Sequence, residues 1–182
     1  MFFTRMRFFR FAGLVLLFVV SAQVTTQAEE TLKVGAEAPK FVLKQLDSED
    51  FFLSDVCGKL RKPWKNKIKH VVVLSFFATW CKPCMEELPE IEKIFEKYQK
   101  ENVKLFLVNV REDKEKVAKF VSDKKIVIPI LLDQYGKVSE KYEALSIPKL
   151  VVINPEGQIA YIGNGFDKAL FENLSRIIDG LK

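Results

Sequence analysis

The sequence predicts an α/β layer fold with a mixed central sheet, on three observations. Apolar runs rich in β-branched residues, at 71–77, 103–110 and 126–132, alternate with stretches of helical periodicity. Two further apolar runs, 148–154 and 158–163, follow one another across a Pro-Glu-Gly turn at 155–157. An amphipathic stretch over 167–181 then closes the chain.

Each element has its own signal. The segment "VGAEAPKFVLKQLDSEDFFLSDV" alternates loosely around an acidic turn at Asp47 to Asp50, which predicts an extended segment or hairpin at the N-terminal side. "VVVLSFF" (71–77) and "VKLFLVNV" (103–110) fit buried strands. Between them Leu88, Ile91, Ile94, Phe95 and Tyr98 recur at three and four residues, the mark of an amphipathic helix. "DKEKVAKFVSDKK" (113–125) predicts a helix showing Val117, Phe120 and Val121. "IVIPILL" (126–132) predicts a strand containing Pro129, and "GKVSEKYEAL" (136–145) a short helix. The closing helix turns Leu170, Leu174, Ile177 and Ile178 inward. No internal repeat or low-complexity tract interrupts this order.

The chain has 182 residues and a formal charge of +5, which suits one domain with a sizeable core. Residues 1–28 form a leader carrying Arg5, Arg7, Arg10 and no acid. The remaining residues hold 26 basic and 24 acidic side chains, so the basic excess belongs mostly to the leader and no nucleic-acid signature remains. After the arginines comes the apolar run Phe11 to Val20, then small and polar residues. Ten apolar residues fall short of the roughly 20 that span a bilayer. An export signal cleaved after Ala22 or Ala28 is the leading expectation, and an uncleaved anchor the alternative. Both place residues 29–182, one domain, outside the cytoplasm, where disulfides persist.

Three cysteines, Cys57, Cys81 and Cys84, cannot all pair internally. In "FFATWCKPCMEELPEIEKIF" two of them stand at C-x-x-C spacing, open to three readings: a structural clamp, half a metal site, or a redox pair. Cys81 follows a strand and opens a helix, so its sulfur faces unpaired N–H groups at the positive helix end. That setting lowers a thiol from its usual pKa of about 8.5. Cys84 lies one turn inside and is expected to be the more buried of the two. Lys82 adds positive charge, and Pro83 suits a first helical turn. Pro89 removes a hydrogen bond to Met85 and is expected to kink the axis. Cys84, Leu88, Ile91 and Phe95 define the expected buried stripe, with Glu87 beside it. Glu87 is then either a desolvated carboxyl able to exchange a proton with Cys84, or a boundary residue reaching water.

With these residues in view, the sequence resembles the thioredoxin superfamily, and within it the extracytoplasmic TlpA/ResA branch of thiol–disulfide oxidoreductases. "VGAEAPKFVL", "FFATWCKPC", "EELPEI", "SIPKLVVINPEGQI" and the leader carry the resemblance. It implies a thioredoxin-like fold with an N-terminal β-hairpin extension. It implies Cys81 as the attacking and Cys84 as the resolving cysteine, with Glu87 as the acid near them. Trp80, Pro83, Ile147 and Pro148 would form the substrate-binding surface, with Pro148 as the cis-proline. No cofactor is implied beyond the Cys81–Cys84 pair. The implied partners are disulfide-bearing proteins, such as apocytochrome c or copper-site cysteines in cytochrome c biogenesis, and a membrane thiol reductant that restores the dithiol. Location would be the periplasm or the outer face of the cytoplasmic membrane, with a membrane tether if the leader stays.

Some residues depart from that pattern. Ser75 stands where cytosolic thioredoxins bury an acid, so Glu87 would have to serve. Lys149 follows Pro148 where a threonine is usual. A basic stretch from Lys59 to Lys69 lengthens the link into the first central strand; a solvated loop is the simpler reading, docking to an acidic partner or anionic lipid the other. Cys57 is a spare buried thiol or the source of an intermolecular disulfide. A Sco-type copper chaperone would space its cysteines wider and add a distant histidine, whereas the only histidine here is His70, read as a loop or strand-edge residue. A peroxiredoxin-type peroxidase shares the "APKFVL" entry but wants a threonine where Ala78 stands.

Overall fold

The computed structural model describes residues 32–62, 68–165 and 167–182. The leader and part of the basic link, 63–67, lie outside the described residues.

Seven strands form one mixed sheet: β1 (Val42–Gln45), β2 (Asp50–Phe52), β3 (Val71–Phe77), β4 (Val103–Val110), β5 (Ile130–Asp133), β6 (Lys149–Ile153) and β7 (Ile159–Asn164). Their order is β2-β1-β5-β4-β3-β6-β7. Strands β3, β4 and β5 are parallel, and the rest add antiparallel. The helices are α1 (Lys82–Tyr98), α2 (Lys114–Lys124), α3 (Lys137–Lys141) and α4 (Leu170–Asp179). Each central β-α-β connection returns to a parallel neighbour, which is why the middle strands read as continuous apolar runs: both faces are covered.

The two faces alternate along each strand. Val71, Val73 and Phe77 face the side packed by Ile91, Ile94 and Tyr98 of α1 and Leu174 and Ile178 of α4. Val72, Leu74 and Phe76 face the side packed by Phe41, Phe51, Val138 and Tyr142. Fully burying such an apolar side chain stabilises by about 1.5–3 kcal/mol. The two buried tyrosine hydroxyls are tied off: Tyr142 donates to the Pro39 carbonyl at 2.8 Å, and Tyr98 to that of Ser175 at 3.1 Å.

The hairpin around the acidic turn is present as β1 and β2, and β1 extends the sheet by pairing with β5. Strands β3 and β4 have the bounds their sequence predicts. Three elements differ by more than one residue at an end. Strand β5 begins at Ile130, not at 126, because Pro129 has no N–H for the ladder; its carbonyl still accepts from Leu107. Helix α3 is confined to Lys137–Lys141. Helix α4 starts at Leu170, where Asp167 accepts hydrogen bonds from Ala169 N–H and the Asn173 side chain.

Helix α1 runs through Pro89 as a single element. Its buried residues are Cys84, Glu87, Ile91, Ile94 and Tyr98. Leu88 and Phe95, expected within the stripe, are only partly buried. The stripe is turned by one position, so Glu87 lies within it, not at its edge.

Candidate active site

Strand β3 delivers the chain to the site. After Phe77 the backbone turns, the Cys81 N–H donating to the Ala78 carbonyl at 3.0 Å, and α1 begins at Lys82. Cys81 is the N-cap: its backbone is extended, and its sulfur accepts from the Cys84 N–H at 3.3 Å. A sulfur is thus the acceptor for one of the N–H groups that a helix start leaves unpaired. Pro83 in the first turn forfeits no internal hydrogen bond.

Cys81 and Cys84 are joined by a disulfide of 2.04 Å, with Cα atoms 5.3 Å apart. The expected contrast in burial is not seen: Cys81 is 3% exposed and Cys84 4%. Both belong to the α1-side core, so with the bond closed the pair is sunk behind its neighbours. What the surface presents is Trp80, 70% exposed, with Lys82 and Pro83.

Strand β6 brings the second half. Lys149 pairs with Phe76, which sets Pro148 level with the end of β3, where the chain turns toward Trp80. The Ile147–Pro148 peptide bond is cis. Pro148 is buried and Ile147 half-buried; with the exposed Trp80 and Pro83 they stand at the same end of the sheet. Lys149 is buried too, its ammonium donating to the Glu143 carbonyl at 3.1 Å. Burial pulls that ammonium below the ordinary lysine range, and the nearby Glu143 charge opposes the shift.

Glu87 is 2% exposed. Burial pushes its carboxyl up to about 7, against the opposing effect of a hydrogen bond from Ser75. That bond, Ser75 Oγ to Glu87 Oε2, is 3.4 Å long. The acid therefore reaches from the helix to the strand position where cytosolic thioredoxins carry theirs. Ser75, Cys84 and Glu87 line one cavity of about 10 Å³, no more than one water's room.

A buried acid beside the cysteine turn was not anticipated from the sequence. Glu112, just after β4, accepts from the Thr79 N–H and hydroxyl, each at 2.6 Å, and from the Asn109 amide at 2.7 Å. Lys116 adds an ion pair at 2.7 Å. Burial raises this carboxyl, but the bonds from Lys116, Thr79 and Asn109 outweigh it and hold the group below the usual range. Glu112 thereby pins the turn that carries Trp80 and Cys81. No local pattern marks it, since Thr79 lies 33 residues away.

The remaining candidates sit elsewhere. His70 lies just before β3, at the opposite end from Cys81, some 20 Å along a seven-residue strand. It is buried, its Nδ1 has no partner, and burial pulls it below its usual range, favouring the neutral ring. Among the described residues no three His, Cys, Asp or Glu side chains cluster as a metal site. Cys57 is buried and free, its thiol pushed up to about 12 by burial, with Lys69 opposing. That environment disfavours the intermolecular disulfide considered for it.

A parallel β3-β4-β5 core, a disulfide at a helix start and a cis-proline on the adjoining strand define a thioredoxin-like thiol–disulfide oxidoreductase. A sequence model of the AhpC/TSA family matches residues 34–162, and the chain belongs to that family. The thiol–disulfide oxidoreductase ResA of Geobacillus kaustophilus is 32% identical over 172 residues, covering 93% of this chain and 91% of that protein. ResA of Bacillus subtilis is 31% identical, covering 75% and 70%. Among solved structures, StoA from Bacillus subtilis superposes with a TM-score of 0.61 at 27% identity, over 78% of this chain and 98% of that one.

Proposed function

We propose that this oxidoreductase works outside the cytoplasm as a reductant of protein disulfides, with Cys81 as attacking thiolate, Cys84 as resolving thiol and Glu87 as its proton acceptor. The observation that carries this reading is Glu87, a buried carboxyl poised near neutrality in the cavity it shares with Cys84.

The steps follow from the placement. In the dithiol form the Cys81 sulfur, facing the N–H groups of α1, is stabilised as a thiolate. It attacks one sulfur of a partner disulfide and forms a mixed disulfide, and the partner's other sulfur leaves as a thiolate and takes a proton. Cys84 passes its proton to the Glu87 carboxylate and attacks Cys81. The Cys81–Cys84 bond forms, the partner's remaining sulfur leaves as a thiolate that is then protonated from Glu87 or water, and two electrons have moved to the partner. Trp80, Pro83, Ile147 and Pro148 provide the docking surface, with the backbone at Ile147 free to pair with an extended partner segment. A membrane dithiol donor then reopens the bond. The leader supports export, and the resemblance to the TlpA/ResA branch supports cysteines of apocytochrome c or of a copper site as the substrate.

Trapping tests this. Cys84→Ser in its native cells should accumulate mixed disulfides through Cys81, and the trapped partners name the substrate. If Cys81→Ser traps partners and Cys84→Ser does not, the two roles are reversed.

A further inference from the structure

Helix α3 ends in a tight cap. The Glu143 N–H donates to the Glu140 carbonyl at 3.0 Å, and the Ala144 N–H to the Ser139 carbonyl at 2.7 Å. That nested pair calls for a left-handed residue just after the helix, most often glycine. Here the residue is Glu143, with φ of 50°. What glutamate adds over glycine is a side chain, and its Oε1 accepts from the Leu32 N–H at 2.8 Å. The cap uses carbonyls within α3, and the carbonyl of Glu143 itself is left for a donor from elsewhere.

That donor is Lys149. It opens β6 and pairs with Phe76 on β3 and Asn164 on β7. Phe76 belongs to the face packed by Val138 of α3 and by Tyr142 just after it, the Phe76 and Tyr142 rings standing 5.6 Å apart. Lys149 lies level with Phe76 and so shares that face. Its ammonium, buried, crosses to the end of α3 and donates to the Glu143 carbonyl at 3.1 Å. A lysine at a helix C-terminus is well placed to serve carbonyls there.

The bond closes residues 143–149 into a ring. The far side of the ring is fastened as well, the Gly165 N–H donating to the Pro148 carbonyl at 2.9 Å. Between these fastenings Ala144 is buried, Ser146 is exposed, and Leu145 stands out at 76% exposure. Leu145 is thus held outward on the same loop that carries Ile147 and Pro148, at the end of the sheet where Trp80 is exposed.

We propose that Lys149 is a positioning residue for partner docking: by clasping the Glu143 carbonyl it holds loop 143–149 in one shape, so that Leu145 and the Ile147 backbone together meet an extended, apolar segment of the partner. A loop ordered beforehand spares the complex the entropy of fixing it on binding. In this role Lys149 acts on how tightly a partner is held and leaves the exchange step to the cysteines. The docking role rests on the reductant reading proposed above; the clasp itself does not.

Lys149→Met keeps the length of the side chain and removes the donor. Two readouts on the full-length protein separate the clasp from its use. Backbone NMR relaxation reads the loop: Leu145, Ser146 and Ile147 should be as ordered as β6 in wild type and mobile in the variant. Single-turnover oxidation of the reduced protein by a synthetic disulfide-bridged peptide with leucine flanks reads the docking. The half-saturating peptide concentration should rise about fivefold or more in the variant, with the limiting rate within about twofold of wild type. Leu145→Ser leaves the clasp in place and should raise the half-saturating concentration without loosening the loop. A loop as ordered in Lys149→Met as in wild type overturns the clasp. A loosened loop whose half-saturation does not move overturns its part in docking, as does a fall in the limiting rate alone. If the loop loosens as stated while Cys84→Ser traps no partner, the clasp stands and the reductant reading falls.

Discussion

Ser75 and Glu87, twelve residues apart, meet at 3.4 Å between strand and helix, in the cavity that also holds Cys84. The hydroxyl donates to the carboxylate and so favours its charged form, opposing burial. Ser75→Ala should therefore move the carboxyl midpoint further up, above about 7. Glu87→Gln should change stability in a pH-dependent way. A carboxyl raised from 4.5 to about 7 on folding binds more protons folded than unfolded in that window, so wild-type stability falls as pH rises through it. The loss is on the order of 3 kcal/mol, and the glutamine variant should not show it. Urea unfolding of the oxidised proteins at pH 4.5 and pH 8 checks this; parallel curves would remove Glu87 as a buried titrating group.

Glu112 leads to the opposite pH dependence. Its folded carboxyl is held below the ordinary range, so its contribution is complete above the unfolded value and is lost as pH falls through the folded one. Glu112→Ala leaves the Thr79 N–H and hydroxyl without their acceptor, which should destabilise by about 1–3 kcal/mol. It should also slow exchange, because the turn carrying Trp80 and Cys81 loses its tether. Equal stability of variant and wild type at pH 7, by denaturant unfolding, would show that the tether contributes nothing.

Much of this arrangement was legible in the sequence, and what was not has identifiable causes. The central strands were plain because a strand covered on both faces needs apolar residues throughout. The phase of α1 was misread by one position because Leu88 and Phe95 are apolar but only partly covered, while Glu87 is polar and fully covered. Hydrophobicity alone cannot order those three. The beginning of β5 was misread because Ile126 and Ile128 are buried without belonging to the ladder. Glu112 was missed because its partner is distant in the chain and only the parallel pairing of β3 with β4 brings Thr79 to it. The C-x-x-C pair was legible from residue type at a fixed spacing, and Pro148 only through the family resemblance, since nothing local marks which proline is cis.

Cys57 should be inert in the folded protein. Its thiol is buried and pushed up to about 12, so almost no thiolate exists near neutrality. After reduction, iodoacetamide at pH 8 should label Cys81 within minutes and leave Cys57 unlabelled until denaturant is added. Mass spectrometry of the digested chain reads both. Labelling of Cys57 at the rate of Cys81 would reopen a role for it in intermolecular disulfides.

Lys149 carries the last prediction, because a buried ammonium next to the cis-proline is an unusual choice. The ammonium donates to the Glu143 carbonyl, and burial lowers it below the ordinary lysine range. The unfolded chain then holds this proton to higher pH than the folded chain does. Wild-type stability should consequently rise with pH between the lowered folded value and the ordinary lysine value of 10.5, as the folded ammonium is relieved of its charge. Lys149→Met fills the space without a charge and should be flat over the same range, so its advantage over wild type at pH 7 should shrink by pH 10. If that advantage is the same at both pH values, the ammonium at 149 is fully solvated or fully compensated, and the loop carrying Pro148 takes no strain from its charge.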